Sequence, residues 1–140
     1  MNKIIITGTS RGIGNAIAKN LLKHNVAVIG ISRKHTIKHK NYFAISFDLN
    51  DLKNIKNILD DIIFNHKKID AIISNAGYGL FENLENLKEK EVIDFFNVNL
   101  LAHILISKIL VSHFKKKKTG HFIFIGSEAS LKGSQKSTLY

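Results

Sequence analysis

The chain has 140 residues, a formal net charge of +10, and no cysteine or proline. This length fits one domain, and the hydrophobic fraction of 44% is typical of a folded globular chain rather than a disordered one. Without cysteine the chain has no disulfides or thiolate metal sites, and its seven histidines lack ligand spacing, so we expect no metal. The N-terminal apolar stretch is too short for a signal peptide, and no segment approaches the ~18 apolar residues of a membrane span. We therefore expect a cytoplasmic protein with no membrane partner.

The positive charge comes almost entirely from lysine, with Arg11 and Arg33 as the only arginines. The densest run, Lys115 to Lys118, falls where a long helix is predicted to end, and cations there complement the helix dipole. Abundant lysine, asparagine and isoleucine throughout the chain indicate a general compositional bias. We therefore expect no nucleic-acid partner and keep a basic nucleic-acid-binding protein as the last alternative.

Apolar runs and amphipathic stretches alternate along the first half of the chain, with no repeat or linker between them. The run from Lys3 to Thr7 predicts a short strand of the kind that is buried on both faces in a parallel sheet. Apolar residues then recur at helical spacing from Gly12 to His24. Two further strands are predicted over Val26 to Ile31 and Tyr42 to Phe47.

The second half continues this alternation. A helix is predicted over Asp51 to His66, a strand over Ile69 to Ser74, a long helix over Lys88 to Lys115 and a fifth strand over His121 to Gly126. Strands that alternate with helices predict parallel crossovers. The sequence thus predicts one α/β domain over residues 1–140, a Rossmann-type doubly wound parallel sheet with strand order 3-2-1-4-5.

The fifth strand is predicted to lie at the edge of this sheet. Its residues Phe122, Ile123, Phe124 and Ile125 form a continuous apolar run, which suits a buried parallel strand. At an edge, such a run promotes pairing with other chains, so we expect poor solubility or self-association.

A glycine-rich turn, Thr7-Gly8-Thr9-Ser10-Arg11-Gly12-Ile13-Gly14, joins the first strand to the first helix. Such a turn lets the backbone approach a pyrophosphate, whose charge then sits at the helix N-terminus. The glycine spacing is G-x-x-x-G-x-G rather than the commoner G-x-G-x-x-G. The alternative is that the glycines serve only turns and packing, but the strand before them and the helix after them favour a phosphate loop.

Three more features lie further along the chain. Asn75-Ala76-Gly77 follows the fourth strand, Ser127 follows the fifth, and Tyr140 stands 13 positions after Ser127. With the glycine-rich turn, and in this order, these features resemble the short-chain dehydrogenase/reductase family over the whole chain. The resemblance implies an oxidoreductase that interconverts a small-molecule carbonyl and an alcohol by hydride transfer from a nicotinamide cofactor.

The resemblance also assigns cofactor-binding roles. Asp48 matches the aspartate that meets the adenine amino group, although an aspartate after a strand is also an ordinary capping residue. The Asn75 turn, Asn75-Ala76-Gly77, matches the family's turn beside the cofactor. Ser74 precedes it where many members of the family have asparagine. The implied cofactor-binding residues are Gly8, Ser10, Arg11, Gly12, Ile13, Gly14, Arg33, Asp48, Leu49, Asn75, Ala76 and Gly77.

The residues after the second strand favour NADP(H) over NAD(H). NAD enzymes usually place an acid there for the ribose 2′-hydroxyl, whereas an arginine accommodates a 2′-phosphate. Here Ser32 is followed by Arg33 and Lys34, with no carboxylate nearby, and Arg11 adds a second cation. The alternative is that two basic residues in a lysine-rich chain carry no meaning. Because arginine is so rare here, its presence at both positions predicts NADP(H).

Three residues are implied to be catalytic. Asn99 lies mid-helix, where asparagine has a poor propensity, on a stripe with Phe96 and His103. We expect it to face inward and, like the family's asparagine, to hold a water in a proton relay; a hydrogen-bonded core asparagine is the alternative. Ser127 matches the serine that polarises the substrate carbonyl, and Tyr140 matches the general acid/base.

The family's tyrosine is followed four positions later by a lysine, for which this chain has no position. We therefore expect the chain to cover the cofactor-binding part of the fold, with the family's C-terminal strands missing. Little reductase activity and weakened family-like homo-oligomerisation are expected of the chain alone. A nucleotide-binding or partner-binding module without turnover is the main alternative function.

Overall fold

Five strands form one parallel sheet in the order β3-β2-β1-β4-β5 in the computed structural model of the chain, which describes residues 2–132, 136, 137 and 139. The strands are β1 (Lys3–Thr7), β2 (Ala27–Ser32), β3 (Tyr42–Ser46), β4 (Ala71–Ser74) and β5 (His121–Phe124). All four pairings are parallel. The predicted fold class and strand order are confirmed. β1 has its predicted bounds, while the ends of the other strands shift by one or two residues.

Helices cover both faces of the sheet. They are α1 (Gly12–Lys23), α2 (Ile55–His66), α3 (Glu89–Phe96) and α4 (Ala102–Lys117). A π-helical segment, Asn97–Leu101, joins α3 to α4, so the long helix predicted from Lys88 exists but is interrupted. The helix predicted from Asp51 begins instead at Ile55, after a 3₁₀ turn over Leu52–Asn54.

The core consists of two layers, one on each side of the sheet. Successive strand residues point to opposite faces, so Ile5 of β1 packs against α2 and α4, whereas Ile6 packs against α1. Ile72 and Ile73 of β4 divide in the same way. The central strands are covered on both faces, which explains their continuous apolar sequences.

The joined helix Glu89–Lys117 is long and apolar enough to span a membrane by length and composition, with a mean hydropathy of 1.6 in its most apolar window. The expectation that no segment reaches this threshold is therefore wrong. Polar residues such as Asn99 divide the apolar residues of this helix, so that no continuous apolar run marks it in the sequence. Core helices of soluble proteins pass the same test when they are mostly buried; here Ala102, Ile106 and Leu110 pack against the sheet, but only 28% of the window is buried.

β5 lies at the sheet edge and leaves apolar side chains uncovered. Among the described strands it pairs only with β4, and Ile123, Phe124 and Ile125 are 44%, 59% and 36% exposed. Because an open apolar edge promotes association, we expect the 140-residue chain to self-associate at concentrations on the order of 100 µM. Phe124→Lys should reduce this association, and His121→Lys, at the exposed start of the strand, should not. Sedimentation velocity measures it, and a monomeric wild-type chain would contradict the expectation.

Candidate functional site

The carboxyl ends of the parallel strands meet at one edge of the sheet. The glycine-rich turn leaves β1 there, Arg33 follows β2, the Asn75 turn follows β4, and Ser127 lies just beyond β5. The connections on the two sides of β1 run on opposite faces of the sheet, since α1 lies on one face and α2 on the other. Such a switch point is where doubly wound sheets bind ligands.

The glycine-rich turn packs directly against the Asn75 turn. Gly8 has a left-handed backbone (φ +75°), and a Cβ on it would lie 2.9 Å from Ala76 Cα. A Cβ on Gly14 would overlap Asn75 Nδ2 and lie 2.5 Å from Gly8 O. Gly12 is also left-handed (φ +61°), but it has open space around it. Two of the three glycines therefore allow close backbone approach, and Gly12 serves the turn itself.

Thr7 holds the two turns together. Its Oγ1 accepts hydrogen bonds from the backbone N–H groups of Asn75 and Ala76, each at 2.9 Å. Asn75 Nδ2 donates in return to Thr7 O at 3.0 Å and to Gly8 O at 3.3 Å. Sequence reasoning missed Thr7 as an anchor. The available signal was a hydroxyl residue closing an otherwise apolar strand.

The N-terminus of α1 lies at the same edge of the sheet, where the glycine-rich turn ends. Its N-cap, Arg11, makes no side-chain capping bond, and the first turn holds no acidic residue. The first N–H groups of a helix have no partner within the helix, and the dipole there favours an anion. Ser10 and Ile13 lie in this turn, and Ile13 is exposed. The arrangement suits a phosphate or pyrophosphate.

Two predicted cofactor residues after β3 make local contacts. Asp48 Oδ1 accepts a hydrogen bond from Asn50 N at 3.0 Å, which forms a local turn; the N-cap positions that follow are Asp51 and Asn54, so Asp48 caps no helix. Leu49 is buried in the core layer that contains α2. Arg33 and Arg11 are both exposed, and neither forms an ion pair with another described residue.

Asn99 lies in the π-helical segment, and both ends of its side chain bind one backbone position. Asn99 Oδ1 accepts from Tyr78 N at 3.0 Å, and Asn99 Nδ2 donates to Tyr78 O at 2.8 Å. Asn99 also lies close to Gly77, where a Cβ would approach Asn99 Oδ1 to 3.3 Å. Asn99 thus supports the end of the Asn75 turn. π-Helical segments are frequent at functional sites.

The predicted inward stripe of Phe96, Asn99 and His103 is correct for His103 and wrong for Phe96, which is 40% exposed. Its neighbour Phe95 is buried instead. The π-helical segment adds a residue to the turn, so positions before and after it fall out of phase.

Ser127 lies at the carboxyl edge of the sheet and begins a 3₁₀ turn over Glu128–Ser130. Its Oγ accepts a hydrogen bond from Ala129 N at 3.1 Å. Tyr140 lies outside the described residues. Between Ser127 and Tyr140, the carbonyl of Lys136 accepts a hydrogen bond from Glu82 N at 2.8 Å.

The structure thus brings together the glycine-rich turn, the Asn75 turn and Asn99, and it places Ser127 at the same edge of the sheet.

A cavity of about 380 Å³ opens between α4 and the ends of β4 and β5. Asn99 and Ala76 line it on the site side, and Phe124 lines it on the β5 side. The buried atoms Ser74 Oγ, His103 Nδ1 and Ser107 Oγ have no hydrogen-bond partner among the described residues. Polar atoms of this kind, in a space this large, are suited to ordered water. Among the described residues, no cluster of three or more histidine or carboxylate side chains could hold a metal.

His103 is a site residue that sequence reasoning noticed only as a stripe member. Its Nε2 lies 2.7 Å from Ala76 O, and because a carbonyl only accepts, Nε2 carries the proton. Burial lowers the pKa of His103 below its ordinary value, partly opposed by this hydrogen bond. A neutral His103 thus holds the middle of the Asn75 turn from the α4 side.

This lowered pKa predicts a pH dependence of stability. The unfolded chain binds more protons than the folded chain from about pH 6.5 down to the folded pKa, so the free energy of unfolding should fall as the pH drops through that window. Burial also lowers the pKa of His66 and His113, so they add to the fall. We expect His103→Gln to make the fall shallower and the exposed His24→Gln to leave it unchanged. Urea unfolding at pH 7.5 and 5.5 measures this, and an equal fall in all three chains would contradict it.

Comparisons with known proteins agree with this geometry. A family model described as short chain dehydrogenase matches residues 2–140. The 3-oxoacyl-(acyl-carrier-protein) reductase FabG of Buchnera aphidicola is 36% identical over 143 residues, which cover 96% of this chain and 58% of that protein. The chain therefore spans less than two thirds of this relative's length.

Two solved structures share the fold. The alcohol dehydrogenase of the archaeon Thermococcus sibiricus, complexed with 5-hydroxy-NADP, has a TM-score of 0.89 and 26% identity, covering 100% of this chain and 64% of its own. The 3-ketoacyl-(acyl-carrier-protein) reductase of Brucella melitensis, complexed with NADH, has a TM-score of 0.89 and 20% identity, covering 99% and 62%. At that identity the second likeness concerns the fold alone. Because the family model matches almost the whole chain, the protein belongs to the short-chain dehydrogenase/reductase family.

Proposed function

We propose that the protein is an NADP(H)-dependent oxidoreductase that interconverts a small-molecule carbonyl and an alcohol by hydride transfer. The observation that carries the proposal is the packing of Gly8 and Gly14 against the Asn75 turn at the N-terminus of α1. This packing fixes the glycine-rich turn at the helix N-terminus, and Gly12, which has open space around it, leaves backbone that a pyrophosphate can approach closely. The core residue Leu49 and the neighbouring Asp48 would border the adenine end.

The preference for NADP(H) rests on residues of this chain. Arg33 leaves β2 at the position where a carboxylate would bind a ribose 2′-hydroxyl, and Arg11 lies in the glycine-rich turn. Two exposed guanidinium groups favour a 2′-phosphate through charge-assisted hydrogen bonds. The Thermococcus sibiricus neighbour was complexed with an NADP derivative, which supports this preference.

When bound, the nicotinamide supplies or accepts the hydride. Ser127, at the carboxyl edge of the sheet, would orient the substrate oxygen. Tyr140 would exchange a proton with that oxygen, donating it in the reduction direction. Asn99 holds Tyr78 through one bond from each side-chain group, and the remaining lone pair of Oδ1 and hydrogen of Nδ2 would hold the water of the proton relay.

The alternative is a nucleotide-binding module without turnover. The complete geometry of the glycine-rich turn favours it, because this geometry accounts for binding without any catalytic residue. For either function we propose a cytoplasmic protein with no nucleic-acid partner.

Titrating the chain with NADPH and NADH, followed by assays of NADPH oxidation with a panel of ketones and aldehydes, tests the proposal. We expect NADPH to bind more tightly than NADH. Turnover with any carbonyl supports the oxidoreductase, whereas binding without turnover supports the module. A chain that binds neither nucleotide would overturn both.

A further inference from the structure

A buried chain of hydrogen-bonded side chains links the glycine-rich turn to the segment after β2. Thr9 Oγ1 lies 2.8 Å from the Tyr42 hydroxyl and 3.3 Å from Ser32 Oγ. The Tyr42 hydroxyl lies 2.7 Å from His35 Nδ1, and Ser32 Oγ donates to Lys34 O at 2.7 Å. Thr9, Ser32 and Tyr42 are all buried. Hydrogen bonds shielded in this way are stronger than exposed ones and hold their geometry more firmly.

Gly30 makes room for this series of hydrogen-bonded side chains. It lies inside β2, paired with Ile6 of β1 on one side and Ala44 of β3 on the other. A Cβ on Gly30 would overlap the Tyr42 hydroxyl and lie 2.6 Å from Thr9 Oγ1. Glycine weakens the interior of a strand and often marks a close approach. Here it lets Tyr42, from β3, reach across β2 to the turn that follows β1.

The hydrogen-bonded chain has one consistent set of donors. Lys34 O only accepts, so the Ser32 hydroxyl donates to it, and Ser32 Oγ then accepts from Thr9. Thr9 in turn accepts from the Tyr42 hydroxyl, whose pKa is raised by burial and which therefore keeps its proton. Tyr42 accepts from His35 Nδ1–H. This order assigns the Nδ1–H tautomer to His35 when it is neutral.

A second set of contacts holds the same two segments together nearer the surface. Asn15 Nδ2 donates to Thr9 O at 2.8 Å and to Thr36 Oγ1 at 3.2 Å. Thr36 Oγ1 donates to Ser10 O at 3.4 Å. Arg33 therefore lies in a segment that is tied to the glycine-rich turn by the Ser32 and His35 contacts and by Thr36.

We propose that Tyr42 is a positioning residue for cofactor discrimination. Its hydroxyl fixes the backbone segment that carries Arg33 relative to the turn that receives the pyrophosphate, before the cofactor arrives. A segment that is already in place loses less conformational entropy when its arginine binds a 2′-phosphate. This inference rests on the proposed preference for NADP(H), because NADH has no 2′-phosphate to gain from it.

The test is Tyr42→Phe, which keeps the buried ring and removes only the hydroxyl. We expect the Kd for NADPH to rise about 5- to 10-fold and the Kd for NADH to change less than about 2-fold. Thr119→Val is the control, because Thr119 lies just before β5, the outermost strand on the side of the sheet away from β3. It should change neither Kd. An equal weakening of both cofactors would overturn the positioning role, since it would indicate a merely structural effect.

Two further measurements separate the possible failures. With Arg33→Ala as background, Tyr42→Phe should add no further loss of NADPH affinity, because the two residues act as a unit. ¹⁵N NMR should show the Nδ1–H tautomer of neutral His35 in the wild-type chain, and an Nε2–H tautomer would overturn the donor order on which the inference depends.

If the wild-type chain binds NADPH and NADH equally, the cofactor preference fails and the inference fails with it. If the preference stands but Tyr42→Phe leaves it intact, the inference alone fails.

Discussion

Gly14→Ala is expected to weaken NADPH binding by about 100-fold or more. The added methyl group would overlap Asn75 Nδ2 and lie 2.5 Å from Gly8 O, so either the Asn75 side chain or the start of α1 must move. Moving Asn75 breaks its hydrogen bonds to Thr7 O and Gly8 O, and moving α1 withdraws the helix N-terminus from the pyrophosphate. A displacement of about 1 Å can cost a factor near 10² in catalysis, and we expect a comparable loss of affinity here. Overpacking of this kind also destabilises by about 1–3 kcal/mol.

Isothermal titration with NADPH and urea unfolding measure the two effects. Gly126→Ala is the matched control, because a Cβ there meets nothing within 4 Å and should change neither quantity. Gly12→Ala separates backbone strain from collision, since Gly12 has open space but a left-handed backbone. It should cost on the order of 1 kcal/mol of stability. Undiminished NADPH binding by Gly14→Ala would show that the close packing is not part of the cofactor site.

The fold was readable from the sequence because its strands are buried on both faces. Continuous apolar runs such as Lys3–Thr7 and the amphipathic stretches between them predict the parallel order β3-β2-β1-β4-β5 that the structure has. The motif residues at the strand ends were equally accessible, because a strand's carboxyl end lies at the same sheet edge whatever its exact bounds. Small errors in strand ends therefore left the glycine-rich turn, Arg33, the Asn75 turn and Ser127 at that edge.

What the sequence did not predict depends on side-chain geometry. A π-helical segment has no composition of its own, so the change of face between Phe95 and Phe96 was not foreseen. The contacts of Thr7 with the Asn75 turn join residues that lie 68 positions apart in the chain. The hydrogen bonds of the Tyr42 hydroxyl likewise depend on the register of three strands and on the space left by Gly30. Neither arrangement follows a motif spacing.

Arg33→Asp is expected to reverse the cofactor preference. Arg33 is exposed just after β2, where we propose that it meets the ribose of the bound dinucleotide. One well-placed arginine that meets a 2′-phosphate contributes on the order of 1.5–3 kcal/mol, so its loss should weaken NADPH binding by about 10- to 150-fold. The new carboxylate repels the 2′-phosphate and accepts a hydrogen bond from the 2′-hydroxyl of NADH, which should bind more tightly than before.

Lys19→Asp makes the same change of net charge on an exposed position of α1 and serves as the control. If the preference arises from the general positive charge of the chain, both substitutions should weaken NADPH to a similar extent, and raising the salt concentration should abolish the difference between the two cofactors. If Arg33 binds the 2′-phosphate directly, only Arg33→Asp reverses the order. The reversal should then persist at high salt, because a charge-assisted hydrogen bond at contact distance is screened less than a diffuse field. Equal titration curves for NADPH and NADH in the wild-type chain would remove the reason for assigning Arg33 this role.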